Sequence, residues 1–384
     1  RAAAAAAPGP FDGWSFNGAA LAGDQVKLNP SNGLRCSPED VDGLPSAYDP
    51  GSGLCRATDT AGQYTGGDFA YGTLTSPVVN AAQPIQELVG SWDATTPLGT
   101  WVELHARVLE PAGWSHWYAL PVWTSDPSTL NRHSTNGQKD ALGEVDTDTL
   151  ALTQPASAYQ LEMTLFTSSD ASPSVKLVRA ATSPGAASLP ADHSAWGTEL
   201  PLPQRSQMLA EYRGLGFGGG GEAWCSPTST SMIMAYWGNM LHLPQLVLPV
   251  PAVAAGTYDY VYRGAGNWPF NTAFAASYGL TSYIERFSSL DQLEPWIKAS
   301  VPVAISVSFQ PGQLPGAPIP STPGHLMVVR GFTANGDVIV NDPAAASDPA
   351  VRIVYPRAQL QRVWQRGSNG TAYVIYPPGW PIPS

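Results

Sequence analysis

The sequence predicts a two-part chain, an N-terminal all-β sandwich of jelly-roll type followed by an α+β domain. Three observations predict it. Residues 11–182 read as short β runs separated by turns, with no long helical pattern between them. Residues 183–203 lose that periodicity and are rich in Pro, Ala and Ser, the composition of a linker. Over 204–384 helical patterns come first and strands second, an α+β order. At 384 residues the chain exceeds one ordinary core, and 43% hydrophobic residues suffice for two.

Each element has its own signal. Thr100–Leu109 alternates, with Trp101, Val102, Leu104 and Val108 marking the run, and Trp117–Trp123 behaves similarly. In Tyr159–Phe166, Tyr159, Leu161, Met163 and Leu165 share one face, while Gln160, Glu162 and Thr164 share the other. In the second part the helical signals fall at 226–237, 271–278 and 290–300, with Pro295 in the first turns of the last. Strands are expected at 302–309, 325–332, 337–341 and 371–376, and Asn335-Gly336 signals a hairpin between the middle two.

Composition narrows the partners and the compartment. A net charge of −11 argues against nucleic acid or an anionic membrane as the main partner. No apolar run has transmembrane length. Three cysteines suggest one pair and one single thiol: Cys36–Cys55 as a disulfide, contributing about 3 kcal/mol at most, and Cys225 alone. That usage, with few lysines, leads us to expect an extracellular or cell-envelope location. Arg1 followed by Ala2–Ala7 reads as the start of a mature chain or a linker. Asp140, Glu144, Asp146 and Asp148 form an acidic stretch whose spacing departs from a calcium loop, so a solvated turn is expected. Trp92, Trp101, Trp114, Trp117 and Trp123 read as core aromatics rather than a sugar platform. With no H-E-x-x-H, G-x-S-x-G or P-loop present, neither a metal nor a cofactor is expected.

The most informative residue is Cys225, which a glycine run (216–221) delivers onto the start of a helix. Pro227 suits the first turn, Ser226 is a candidate N-cap, and Ile233, Tyr236 and Trp237 give apolar spacing on one face. A thiol at a helix N-terminus meets unpaired N–H groups and the positive dipole end, which favour the thiolate. A cysteine nucleophile also needs a base, an orienter and oxyanion donors. His325 opens a predicted strand, and Asp342-Pro343 ends its hairpin partner. A strict two-residue turn at Asn335-Gly336 would pair Asp342 with Val329, roughly 13 Å along the strand from His325. A triad therefore requires a longer loop including Thr333 and Ala334, or a bulge; Asn341 and Asp348 are the substitutes. Gln207 is a candidate oxyanion donor, with Gln204 as competitor. The glycine run is expected to be mobile at a cleft shaped by Trp224, Trp268 and Tyr283. His193 and His242 have no such context.

The order Gln…Cys…His…Asp-Pro resembles the papain-like cysteine peptidases related to bacteriocin-processing peptidases, in their secreted bacterial branch. Four stretches carry the likeness: Arg205–Met208, Trp224–Met232, Gly266–Ala273, and Gly324–Gly331 with Asn341–Pro343. It covers about 201–376, and Ser91–Thr95 and Gly99–Val102 look like the β domain that accompanies this branch. The resemblance implies Cys225 as nucleophile, His325 as base, Asp342 as orienter and Gln207 as oxyanion donor, acting on a peptide or isopeptide bond. A peptide or a cell-envelope polymer would be the substrate; acyl transfer is a variant outcome. Ser226 stands where the transporter-fused members carry glycine, so their double-glycine leader specificity is not implied. The contrasting reading is a non-catalytic envelope protein that binds a polymer through a peptidase-like fold.

Overall fold

The computed structural model describes residues 13–15, 26–27, 41, 43–182 and 193–383. The chain divides into two compact units. One comprises Gly13–Ala180 with Asp259–Tyr262, the other Ala181–Tyr258 with Arg263–Ser384. Arg1–Ala7, Cys36 and the part of the expected linker at 183–192 lie outside the described residues. No helix among the described residues is long and apolar enough to cross a membrane.

The first unit is sheet-rich, as its sequence pattern predicts. Its strands are β1 (Gly13–Ser15), β2 (Val26–Lys27), β3 (Ser46–Asp49), β4 (Leu54–Thr58), β5 (Asp68–Thr75) and β6 (Val79–Thr95). They continue with β7 (Thr100–Glu110), β8 (Gly113–Trp114), β9 (Tyr118–Trp123), β10 (Gly143–Asp146), β11 (Thr149–Thr167) and β12 (Ser174–Ala181). The main path runs β1-β12-β6-β11-β5-β4-β3, and β7 joins β11 and carries β8 and β9. The long strand β11 pairs with β10 and β6 along its first half, then with β5 and β7 along its second. Trp101 stacks on Phe166 (centroids 5.1 Å apart), with Phe69, Tyr71 and the buried Cys55 in the same cluster.

The polar face predicted for β11 is more deeply covered than alternation alone suggests. Thr164 is buried and bonds Thr73, Glu162 accepts from Thr75, and Gln160 accepts from Arg107. Cross-strand partners replace the water these groups would otherwise require. Of the five tryptophans, Trp92, Trp101 and Trp123 are core, whereas Trp114 and Trp117 are half-buried, each with its ring 4.7 Å from the Arg107 guanidinium. In the acidic stretch, Asp140 ties its own turn through the N–H groups of Leu142 and Gly143, and Glu144 pairs with Lys139.

The second unit places helices before a sheet. Its helices are α1 (Cys225–Leu241), α2 (Val250–Thr257), α3 (Trp268–Ser277), α4 (Glu294–Lys298) and α5 (Arg357–Ser368). Its strands are β13 (Thr281–Arg286), β14 (Val303–Phe309), β15 (Thr322–Phe332), β16 (Val338–Asn341), β17 (Arg352–Tyr355) and β18 (Thr371–Tyr376), ordered β13-β18-β14-β15-β16-β17. The helix expected at 290–300 is a 3-10 turn, Leu290–Gln292, followed by α4, with Pro295 at its start as anticipated. Residues 196–200, at the end of the expected linker, run along β15: Leu200 N–H donates to Arg330 O and Phe332 N–H to Thr198 O.

The apolar stripe expected on one face of α1 understates its burial. Ser226 through Gly238 are all buried, because the helix packs against α2, α3 and β15 together. Most of its small hydroxyl residues bond locally or across the packing, Thr230 to Asn271 (3.0 Å) and Ser229 to Leu326 O (3.2 Å), while the buried Thr228 hydroxyl has no partner among the described residues. Trp237 fills the far end with its indole N–H on Ile375 O at 2.9 Å. Trp237→Ala should therefore destabilise this unit by about 3–5 kcal/mol, to be read from denaturant unfolding of the whole chain.

Candidate active site

Cys225 is the first residue of α1 and is partly exposed, as a nucleophile must be. It is the free thiol among the described residues; Cys55 is not free. The N-cap position belongs to Trp224, with no side-chain cap, so Ser226 does not cap the helix as expected. Ser226 sits inside the first turn, where its hydroxyl meets Tyr373 Oη at 2.8 Å and is spent on core packing.

Two glycines of the preceding run are required by the backbone. Gly220 has φ +92°, and a Cβ there would lie 2.5 Å from Tyr212 O; a Cβ on Gly221 would lie 2.1 Å from Gln207 O. These glycines serve backbone conformation and close approach. Trp224 is fully buried against Val250, Ala254 and Ala265, and its indole donates to Phe217 O at 2.9 Å. It anchors the loop from beneath and cannot line a cleft. Tyr283 is likewise buried on β13, its ring edge-on to Tyr376. Of the three aromatics expected at a cleft, Trp268 alone is half-buried, at the start of α3.

His325 and Asp342 meet through the β15–β16 hairpin. Its loop is longer than two residues: Thr333 N–H donates to Asp337 O, enclosing Ala334–Gly336. The register then slips between the Val329–Val340 and Gly331–Ile339 pairs, leaving Arg330 as a bulge. Val328 faces Asn341, so Asp342 comes level with Met327 and on the face of His325. His325 Nε2 lies 2.7 Å from Asp342 Oδ1. The other side of the imidazole makes a hydrogen bond with the Cys225 thiol. The two substitutes for the orienter are engaged elsewhere: Asn341 with Arg330 and Pro203 O, Asp348 with the Ser206 N–H.

A further residue, not anticipated from the sequence, joins them. Tyr355 at the end of β17 donates its hydroxyl to Asp342 Oδ2 at 2.7 Å, and the Ala344 N–H reaches Oδ1 at 3.0 Å. Tyr355 is fully buried. Its only sequence signal is position: in Arg352-Ile-Val-Tyr355 it ends a strand that pairs with β16.

Gln207 is brought to the same place by backbone and side chain together. Its N–H donates to Pro343 O (2.8 Å), next to Asp342. Its amide nitrogen donates to Gly221 O (2.9 Å) and Glu222 O (3.0 Å), on the loop leading to Cys225. Its Oε1 is buried without a hydrogen-bond partner among the described residues. Gln204 instead faces the carbonyls of Asp348 and Pro349. His242 is a left-handed C-cap of α1, and His193 stacks on Trp196. No group of three or more His, Cys, Asp or Glu among the described residues is arranged to hold a metal ion.

Electrostatics couple the three groups. Burial by itself would lower the His325 pKa, but the Asp342 charge and hydrogen bond, then Cys225, overcome it and raise it to about 10. Burial pushes the Cys225 thiol up; the His325 hydrogen bond and charge, with the N–H groups of Leu326 and Ser226, bring it below its ordinary value. Burial likewise raises Asp342, and His325, Tyr355 and the Ala344 N–H outweigh that and hold it ionised. The three groups thus reinforce one another, each shifted toward the charged form that its neighbour favours.

Residues 16–183 match the family described as the Peptidase C39 N-terminal domain, and residues 199–372 match the Peptidase C39-like family. Among solved structures, a candidate C39-like peptidase from Bacillus anthracis is 16% identical, covering 46% of this chain and 96% of its own, with a TM-score of 0.32. CBM22-1–GH10 modules of a Clostridium thermocellum endo-1,4-beta-D-xylanase, complexed with xylohexaose, are 11% identical, covering 49% of this chain and 32% of their own, with a TM-score of 0.18. No curated protein matches.

The charge pair predicts a pH signature. With its thiolate favoured by His325, Cys225 should be alkylated by iodoacetamide at a rate that rises less steeply across the neutral range than that of an ordinary thiol. In His325→Ala the rate should instead climb roughly tenfold per pH unit, as for an ordinary thiol. The folded imidazole binds its proton more tightly than the unfolded one. Its contribution to stability is therefore complete below the unfolded pKa and is lost as pH rises toward about 10. Thermal unfolding across that interval, for the native chain and His325→Ala, measures it.

Proposed function

We propose, from the premise that the chain is a C39 peptidase-related protein with an N-terminal β domain, that it hydrolyses a peptide or isopeptide bond with Cys225 as nucleophile. The observation that carries this reading is the chain of contacts from the partly exposed Cys225 through the buried His325 to the buried Asp342. The Cys225 sulfur attacks the carbonyl carbon, and its charge passes to the carbonyl oxygen as the tetrahedral intermediate forms. The His325 imidazolium gives its proton to the departing amine, and the intermediate collapses to a thioester. Neutral His325 then takes a proton from water, whose oxygen attacks the thioester; the released thiolate and restored imidazolium close the cycle. Asp342 keeps the imidazole oriented throughout and stabilises its charged form.

The oxyanion would receive the Cys225 N–H and one Gln207 amide hydrogen. Both Gln207 contacts at rest are to carbonyls of the nucleophile loop, so serving an oxyanion means exchanging one of them. In this reading the N-terminal unit, of jelly-roll type, is an accessory domain, and Cys36 pairs with Cys55. The protein then works outside the cytoplasm on a peptide or a peptide-bearing envelope polymer.

Activity-based labelling of the full chain with a thiol-directed peptide probe, followed by a screen of peptide and cell-wall substrates, tests this. Cys225→Ala and His325→Ala should abolish turnover, Asp342→Ala should leave a remnant, and Gln207→Ala should cost about a hundredfold in kcat. Mass spectrometry after mild alkylation should show Cys225 modified and Cys36 and Cys55 protected. If Cys225 never labels, or labels equally without His325, and no amide bond is cleaved, a non-catalytic binding role replaces the enzyme.

A further inference from the structure

The geometry points to a fourth member of the catalytic chain: we infer that Tyr355 is a positioning residue whose hydroxyl fixes and holds ionised the Asp342 carboxylate that orients His325. This deepens the peptidase reading above and rests on it for its consequence in turnover.

A carboxylate at zero exposure requires hydrogen-bond donors within the protein. Each oxygen of Asp342 has a partner of its own. Oδ1 receives His325 Nε2 at 2.7 Å and the Ala344 N–H at 3.0 Å; Oδ2 receives the Tyr355 hydroxyl at 2.7 Å. Because Tyr355 takes the second oxygen, the carboxylate cannot rotate to trade Oδ1 for Oδ2 without breaking a buried hydrogen bond. The hydroxyl is itself held in place, since Tyr355 faces Val338 in the β16–β17 register and carries no exposure. A packing role alone would be met by phenylalanine; the phenol oxygen has meaning only toward the carboxylate.

The charged groups around this centre are few. His325 from β15 and Tyr355 from β17 face Asp342, and Cys225 from α1 faces His325. Arg330 on β15 and Arg352 on β17 turn to Glu199 instead. Asp348 is taken up by the Ser206 N–H. As pH falls and Asp342 binds a proton, His325 loses its counter-charge, its proton passes to the thiolate, and Cys225 goes silent. Tyr355 lowers the pH at which this happens, one of several donors that do so. It also pays for its position by becoming harder to ionise, from burial first and then from Asp342.

The test uses the full chain in three forms besides the native one: Tyr355→Phe, 3-fluorotyrosine placed at 355, and Tyr236→Phe. Tyr236 is another buried tyrosine of the same unit, bonded to Ser300 O and remote from the triad in the hydrogen-bond pattern. The acid limb of Cys225 alkylation against pH is measured for each, with the melting temperature alongside. Tyr355→Phe should move that limb up by about one pH unit and cut labelling severalfold just above it. The more acidic fluorophenol should move it down, and Tyr236→Phe should lower the melting temperature without moving it. An unmoved limb in folded Tyr355→Phe overturns the inference. Should that variant fail to fold, an unmoved limb in the fluorotyrosine protein overturns it equally. If the native chain does not label in a His325-dependent manner, the peptidase reading has failed. The carbon-13 signal of the Asp342 carboxyl then takes the place of labelling, and a titration midpoint equal in native and fluorotyrosine proteins rejects Tyr355 by itself.

Discussion

The Asp342 carboxylate has no exposure, and a charge so placed must either be met by donors on every side or give itself up to a proton. Its donors come from three different parts of the second unit: an imidazole from β15, a phenol from β17, and a backbone N–H from the turn after β16. The carboxylate therefore ties the sheet order β15-β16-β17 to the chemistry, because no two of those strands alone would satisfy it. The same charge raises the affinity of His325 for its proton, and His325 in turn shifts Cys225 at the head of α1 toward its thiolate. One buried anion thus favours a cation, and that cation favours the anionic form of the thiol beside it.

Two one-residue steps in the hairpin make this possible. With a strict turn at Asn335-Gly336, Asp342 would stand opposite Val329, too far along the strand from His325. One extra residue in the loop would bring it opposite Val328, on the wrong face of the sheet, since strand side chains alternate. The loop supplies one step and the Arg330 bulge the other, so Asp342 arrives level with Met327, nearer and on the proper face. The bulge is stabilised in its own right. Arg330 reaches Leu200 O and Asn341 Oδ1, and Gly331 lets Thr198 O approach to where a Cβ would sit only 2.3 Å away.

Much of this was legible in the sequence, and the parts that were not share a cause. Cys225 heads α1 and Asp342 follows the last residue of β16, where local signals such as a glycine run, Pro227, Asn335-Gly336 and Asp342-Pro343 are strongest, whereas His325 lies three residues inside β15 rather than opening it as expected. The need for a longer loop or a bulge was readable from register alone; the place of the bulge, at Arg330, was not. Tyr355 carries no local mark, since its meaning comes from a strand pairing between β16 and β17 that alternation cannot specify. Helices α2 and α5 were passed over for related reasons. The short α2 is opened by Pro249 and includes Pro251 and Gly256, while α5 is polar over much of its length, with Leu360, Val363 and Trp364 as its buried side. The misreadings of Trp224 and Tyr283 as cleft walls arose from proximity in sequence to the nucleophile or from aromatic character, neither of which distinguishes a surface ring from a core ring.

Gln207 shows how tightly the nucleophile loop is drawn into the same arrangement. Gly221 has no side chain, and the Gln207 backbone occupies the space a Cβ would need. That close approach lets the Gln207 amide span to the carbonyls of Gly221 and Glu222, while its own N–H holds Pro343 beside the orienting carboxylate. One residue thereby couples the loop before Cys225 to the turn after Asp342. Its Oε1, buried and without a partner among the described residues, is the cost of pointing the nitrogen at those carbonyls. A reversed amide would set oxygen against oxygen twice, a worse arrangement than one unsatisfied acceptor. The donor side of Gln207 therefore faces the loop that leads to Cys225 and is engaged by two of its carbonyls.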